Sequence, residues 1–345
     1  MKAIVQEEYG SPDALALTEV ERPAPRDHEV LIRVRAASVN PADWHFMRGV
    51  PYLMRAQAGL RHPKIKVLGR DLAGEVESVG NNVTRFRPGD EVFAEAEAGG
   101  FAEYACVSED LLERKPANSS FEQASAVPLA AVTALQGLRD VGQLQPAQRV
   151  LIIGASGGVG TFAVQLANWL GAEVTGVCST RNLDMVRSLG ADQVIDYTQG
   201  DYLRSGQRYD LIFQLAGTSS PSEFRRALAP RGTLVVSSGD SNGRWIGPLD
   251  RTVKAIVLSP FVSQKLRPFL AKPNKEDLRA LKELIETNKI APVIDRTYSL
   301  GEVPDAIRYL EEGHARGKVS ISIQGPRDSR TDGGGGATKD LEGRE

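Results

Sequence analysis

Short runs in which every second residue is apolar dominate residues 1–120. "EVLIRVRAASV", "AGEVESVG" and "GDEVFAE" each present one apolar face, with Gly, Pro and Asn turns between them. This predicts short strands and a β-rich unit. Inside it, "SVNPADWHFMRGVPYLMRAQAGLRHPKIKVLG" keeps neither the strand nor the helix period. It carries Trp, His and Tyr, a composition suited to a site-forming loop. From Phe121 the period changes: "SFEQASAVPLAAVTALQGL" reads as helical, and strand and helix patterns then alternate through residue 260. The expected strands are "RVLIIG", "EVTGVCS", "QVIDY", "YDLIFQLAG", "GTLVVSSG" and "KAIVLS". Such alternation predicts a parallel sheet covered by helices on both faces. After residue 270, "KEDLRALKELIETNKI" and "VPDAIRYLEEGHA" are amphipathic helices and "GKVSISI" is a last strand.

One segment, "VLIIGASGGVGTFAVQLANWLGAEVTGVCSTRN" at 150–182, joins two of these strands through a helix. Its first strand ends at Gly154. The helix then sets Val159, Phe162, Ala163, Leu166, Trp169 and Leu170 on one face, and Gly171 caps it. Gly154, Gly157 and Gly160 are spaced three apart, with Gly158 added. Glycines at that spacing let the backbone approach a pyrophosphate at a helix N-terminus, where unpaired N–H groups and the dipole favour anions. Gly157, Gly158 and Val159 therefore read as cofactor-binding backbone, and Ser156 adds a hydroxyl. The plainer alternative is an ordinary strand-to-helix turn, but strand, helix and second strand all stand where a dinucleotide requires them.

The end of the second strand selects the nucleotide. NAD-binding chains of this architecture carry an acid about 20 residues after the first glycine, which holds the ribose 2′-hydroxyl. Here that region reads Cys178, Ser179, Thr180, Arg181 and Asn182, and Asp184 falls later, on the following helix. Ser179 and Arg181 suit a 2′-phosphate, which an acid would repel. A solvated surface arginine is the bland reading of Arg181. A cation at a helix start is mildly unfavourable, however, unless a phosphate accompanies it. NADPH is the expected cofactor.

Composition narrows the class. The 345 residues suffice for two domains, and 41% hydrophobic with 25% charged residues is ordinary for a globular protein. A net charge of -2 leaves no basic field for nucleic acid or an anionic membrane. No apolar run reaches the roughly 20 residues of a membrane span. "MKAIVQEEYG" reads as a strand, not a transit or secretory signal, and two cysteines, Cys106 and Cys178, fit a reducing compartment. A cytoplasmic location is expected. The tail 324–345, with "TDGGGG", has almost nothing apolar to bury and is expected to be disordered.

Taken in order, "VLGRDLAGEVESVG", "RFRPGDEVFA", "GGFAEYACV", "PLAAVTAL", "VLIIGASGGVG" and "SLGADQVIDY" resemble the medium-chain dehydrogenase/reductase superfamily. More narrowly, they resemble its zinc-free, quinone oxidoreductase-like branch, which includes zeta-crystallin. "GASGGVGTFAVQLA" is especially similar to the chloroplast-envelope and reticulon-interacting homologues. The resemblance implies an α/β fold: a GroES-like β-rich domain, residues 1–122 plus 266–323, with an inserted Rossmann dinucleotide-binding domain at 123–265. It leaves room for a homodimer.

Zinc-dependent relatives bear a Cys where this chain has Asn40 and a His where it has Arg70, and their structural zinc lobe needs four cysteines. Only His28, His45, His62 and His314 are available as imidazole ligands, without short ligand spacing. No metal is expected. Without a Lewis acid, reduction of an α,β-unsaturated carbonyl or a quinone fits better than alcohol–ketone interconversion. Hydrogen-bond donors suffice to stabilise the oxygen that becomes negative. The resemblance assigns Tyr52 and Asn40 to catalysis, beside the nicotinamide; their structural readings are a packing tyrosine and an Asx-turn before Pro41. Asp43 and Trp44 read as scaffold or pocket wall. The resemblance also places Thr133 below the nicotinamide, Tyr197 at the adenosine-phosphate end, Ser238 and Gly239 at the crevice, and Phe261 and Lys318 on the cofactor. Two other functions stay open: a non-catalytic NADPH-binding protein, crystallin-like or partner-binding, and a reductase of carrier-bound enoyl thioesters.

Overall fold

The structure, a computed structural model, describes residues 1–204, 206–237, 255, 259 and 262–323. Its first strands, β1 (Lys2–Gln6) and β2 (Leu15–Glu19), form an antiparallel hairpin. The long strand β3 (Glu29–Val39) pairs antiparallel with β4 (Asp71–Val79), and β4 with β5 (Glu91–Glu95). Strand β6 (Tyr104–Ser108) lies on the N-terminal half of β3, and β7 (Leu112–Arg114) lies on β5.

The stretch between β3 and β4, expected to be irregular, holds helix α1 (Pro41–Arg48) and a further turn, α2 (Arg55–Ala58). Pro41 suits the first helical position, the Asp43 carboxylate accepts from the Asn40 N–H at 2.8 Å, and Gly49 at φ 60° stops the chain. Two turns are too short to show a period.

The helical pattern after residue 120 is two helices, α3 (Phe121–Ser125) and α4 (Pro128–Gln136). Val127 keeps helical angles, but Pro128 has no N–H to donate and suits a first helical position, so α4 starts there. Next come β8 (Arg149–Ile153), helix α5 (Gly158–Trp169), β9 (Glu173–Cys178), β10 (Gln193–Asp196), β11 (Tyr209–Gln214), β12 (Leu228–Val236) and β13 (Lys265–Pro268). They pair in the order β10-β9-β8-β11-β12-β13, every pairing parallel. The order reverses between β8 and β11, and a ligand of such a sheet sits at the carboxyl ends of the strands beside that switch. Most of the expected strand "KAIVLS" lies outside the described residues, and β13 fills the sixth place.

Helix α5 is buried all round from Gly160 to Ala167, whereas Trp169, expected on its packed face, is 47% exposed in the last turn. The helix Lys275–Glu286 adds Leu278, Leu281 and Ile285 to the same core. Finally β14 (Ile294–Ser299) and β15 (Lys318–Ser322) return to the first sheet, where Val319 pairs with Val39 of β3. Both chain ends thus build the GroES-like domain, and the Rossmann domain is inserted. The expected boundary at 122/123 falls inside α3, and that at 265/266 falls inside β13.

Candidate active site

The glycine turn lies at the switch point. Gly154 sits at φ 83°, a region that favours glycine. A Cβ on Gly160 would come 2.0 Å from the Gly154 carbonyl oxygen, so α5 begins hard against β8. The first N–H groups of α5, at Gly158 and Val159, have no acceptor within the helix and, with the dipole, could receive an anion.

The C-terminal strand meets this turn from the other domain. The Gly317 N–H donates to the Ser156 carbonyl at 2.8 Å, and a Cβ on Gly158 would come 2.9 Å from Lys318 Cδ. Lys318 then runs inward, 3% exposed. Its ammonium donates to Asn40 Oδ1 at 2.5 Å and to Asp71 Oδ2 at 3.2 Å. The same carboxylate oxygen accepts from Asn40 Nδ2 and Ser38 Oγ, while Asp71 Oδ1 accepts from the Leu129 N–H in the first turn of α4. A buried carboxylate is tolerable because cation, hydroxyl, amide and helix N-terminus all serve it.

This network bears on the expectation for Asn40. Asn40 is 1% exposed and spends its amide on Ser38, Asp71 and Lys318, so it positions the cluster and has no donor left for substrate. Asp43 is a buried cap that also accepts from the Gly69 N–H at 3.2 Å. Burial, reinforced by the Asp71 charge, pushes its pKa up to about 7 against the pull of the Asn40 N–H. Beside it, Glu95 accepts from Arg70 Nη2 at 2.8 Å, and burial with Asp71 nearby raises Glu95 to about 7 despite Arg70. Arg70 and Glu95 escaped the sequence reading as a pair. They lie 25 residues apart, and only the β4–β5 register brings them together.

At the far end of the turn, Asn182 Nδ2 donates to Ser156 Oγ at 3.0 Å and to Ser179 Oγ at 3.2 Å. Its Oδ1 is buried with no hydrogen-bond partner among the described residues. A nucleotide hydroxyl would supply that partner, so the pocket chemistry fits a dinucleotide. Asn182, inside the quoted "CSTRN", was missed. Arg181 is anchored to the chain's last helix–strand turn through the His314 carbonyl at 2.5 Å. A carboxylate does stand nearby: Asp196, from β10, accepts from Thr180 Oγ1 at 2.5 Å and from the Thr198 N–H and hydroxyl. Those hydroxyl and amide bonds hold its pKa below the ordinary value. Tyr197 follows it, 54% exposed.

Thr133 is buried on α4 and its hydroxyl donates to the Leu129 carbonyl at 2.7 Å. Tyr52 is half-buried after the cis Val50–Pro51 bond, and the Arg55 guanidinium lies 4.8 Å from its ring centroid. Ser238, Gly239 and Phe261 lie outside the described residues. Among the described residues no three His, Cys, Asp or Glu side chains group to hold a metal ion, and no helix is long and apolar enough to cross a membrane.

A GroES-like domain sharing its site with a Rossmann dinucleotide turn defines a medium-chain dehydrogenase/reductase. Residues 26–117 match the alcohol dehydrogenase GroES-like domain family, and residues 189–321 match the zinc-binding dehydrogenase family. The chain is 35% identical to the chloroplast envelope quinone oxidoreductase homolog of Arabidopsis thaliana, over 93% of this chain and 98% of that one. It is 33% identical to 2-methylene-furan-3-one reductase of Solanum lycopersicum, over 93% and 79%. The structure of Escherichia coli quinone oxidoreductase complexed with NADPH superposes with a TM-score of 0.81 at 25% identity, over 93% of this chain and 100% of that one. The chain belongs to the quinone oxidoreductase-like family of medium-chain dehydrogenases/reductases and is an oxidoreductase.

Proposed function

We propose that the protein reduces an α,β-unsaturated ketone or aldehyde, or a quinone, with NADPH and without zinc. What carries this reading is the meeting of a dinucleotide turn with a hydrogen-bonded cluster of Asn40, Asp71 and Lys318, beside which the Arg70–Glu95 pair stands. Neither the Asn40 amide nor the Arg70 guanidinium is a zinc ligand, since zinc takes His, Cys or carboxylate groups. Bound NADPH supplies the hydride. The chain's own residues bind and orient it: the α5 amides at the phosphates, the Lys318 stem against the Gly158 turn, Asn182 at a sugar hydroxyl, Ser179 and Arg181 at the 2′-phosphate. Asp196, held ionised by Thr180 and Thr198, opposes a 2′-phosphate, so Ser179 and the Arg181 guanidinium have to outweigh it. The relatives named for quinone and for furanone reduction support the substrate class.

Deuteride from labelled NADPH should appear on the β-carbon of an enone product; label on the carbinol carbon would refute the reading. Arg181→Ala should weaken NADPH by about tenfold, the cost of a charge-assisted hydrogen bond, and leave NADH almost unchanged. Equal losses for both cofactors would end the preference for NADPH.

A further inference from the structure

The buried cluster has one member that reaches the surface. Lys318 and Asp71 are 3% and 0% exposed, Glu95 has a side chain 6% exposed, and the neighbouring Arg70 side chain is 25% exposed. Its backbone is clamped on both sides. The Arg70 carbonyl accepts from the Ala96 N–H at 2.6 Å, and the Gly69 carbonyl accepts from the Gly100 N–H at 2.8 Å. Gly69 itself, at φ 93°, packs where a Cβ would come 2.6 Å from the Phe101 nitrogen.

A guanidinium has five N–H donors. Arg70 uses Nη2 on Glu95, while its Nε is buried with no hydrogen-bond partner among the described residues. Elsewhere in this domain, Arg48 gives Nε to Glu311 and Arg55 gives Nε to the Gly49 carbonyl. Arg70 is therefore a fixed cation, partly exposed and unpaired at its buried Nε, next to Asp71 of the cluster that holds Lys318 against the glycine turn.

We propose that Arg70, held by Glu95, receives the substrate's carbonyl or quinone oxygen and stabilises the negative charge that hydride addition places there. The inference rests on the proposed reductase function and names the group that completes it. Hydride adds to the β-carbon, the π electrons of the C=C bond shift toward oxygen, and Arg70 N–H groups donate to the resulting enolate. Water then protonates the α-carbon, and the nicotinamide is left oxidised. Donors fixed in advance and poorly solvated are the ones that stabilise such charge best. Glu95 is a positioning residue: it orients the guanidinium and offsets part of its charge.

The test needs no turnover. 4-Nitrophenolate mimics the oxyanion and reports its ionisation by visible absorbance. The wild-type protein should bind the phenolate in preference to the phenol. Arg70→Met should weaken that binding at least about tenfold, as expected for a lost charge-assisted bond, with Arg70→Lys intermediate. Glu95→Gln keeps an acceptor for Nη2 but removes the opposing charge, so it should bind phenolate more tightly. If the pair only braced the fold, both variants would weaken binding together, and that outcome overturns the proposal. With an active enzyme, Arg70→Met should lower kcat about 100-fold while the NADPH dissociation constant stays constant. Unchanged kcat overturns it as well. Failure of the wild type to oxidise NADPH with any enone or quinone would instead remove the reductase reading, and the phenolate titration would still decide whether Arg70 is an oxyanion site.

Discussion

At the scale of single residues, the cluster around Asp71 makes stability depend on pH. Glu95 faces Arg70, Asp71 and Lys318, and its pKa rises from an ordinary 4.5 to about 7 because it is buried beside another carboxylate. The folded state thus holds this proton more tightly than the unfolded chain does. That contribution is complete below pH 4.5 and is lost as pH rises through about 7; Asp43 acts in the same direction. Glu95→Gln carries no such proton. Between pH 5 and pH 8 the stability difference should move in favour of the variant by about 2 kcal/mol, measured by urea unfolding. A pH-independent difference would mean that Glu95 is ionised throughout. Legibility at this scale was uneven. Ser179, Arg181 and the glycines could be read because their chemistry is contiguous in the chain. Asn40 was noticed, but not the buried bonds that hold it. The amide of a buried residue can be assigned only once its partners are known, and Lys318 lies 278 residues away.

At the scale of elements, the strand–turn–helix from β8 to α5 divides the work among its glycines. Gly160 lacks a side chain so that the helix can touch the turn: an added Cβ would lie 2.0 Å from a carbonyl oxygen. Gly157 is different, with nothing closer than 3.5 Å to its added Cβ. Gly160→Ala should cost about 2 kcal/mol of stability and weaken NADPH binding. Gly157→Ala should melt almost normally yet bind NADPH poorly, because its methyl group occupies the pyrophosphate's approach. Parallel melting and cofactor titration check both, and equal melting losses would remove the division of roles. This turn and most strands were legible because a period of two, or a buried run between glycines, is a local signal. Helix α1 was hidden by its shortness. Residues 265–268 were not read as a strand, since four residues with Lys, Arg and Pro among them show no apolar face.

For the whole molecule, the site belongs to neither sheet alone. The six-stranded sheet supplies the turn, and the other sheet supplies Lys318, Asn40, Asp71 and Arg70 through β3, β4 and β15 and the turns beside them. Cofactor binding should therefore be felt across both. In hydrogen exchange read by mass spectrometry, adding NADPH should slow exchange at 317–322 as well as at 154–182. Protection confined to the six-stranded sheet would show that β15 is only a neighbour. That these strands run parallel followed from their alternation with helices, whereas their order did not, and the return of the chain end to β3 was visible only through family resemblance. No local pattern in "GKVSISI" names its partner strand.

That return fixes an order of events during synthesis. Asp71 is made 247 residues before Lys318, the cation that pairs with it. At about 5–20 residues per second, roughly 10–50 s pass before the ribosome delivers that ammonium. Throughout that interval the stretch of β3 at Ala36–Val39, which β15 covers in the finished sheet, presents an open edge. The growing chain, not the finished enzyme, is the species with a carboxylate lacking its cation and a strand lacking its neighbour. It is also the one that chaperones would have most reason to hold.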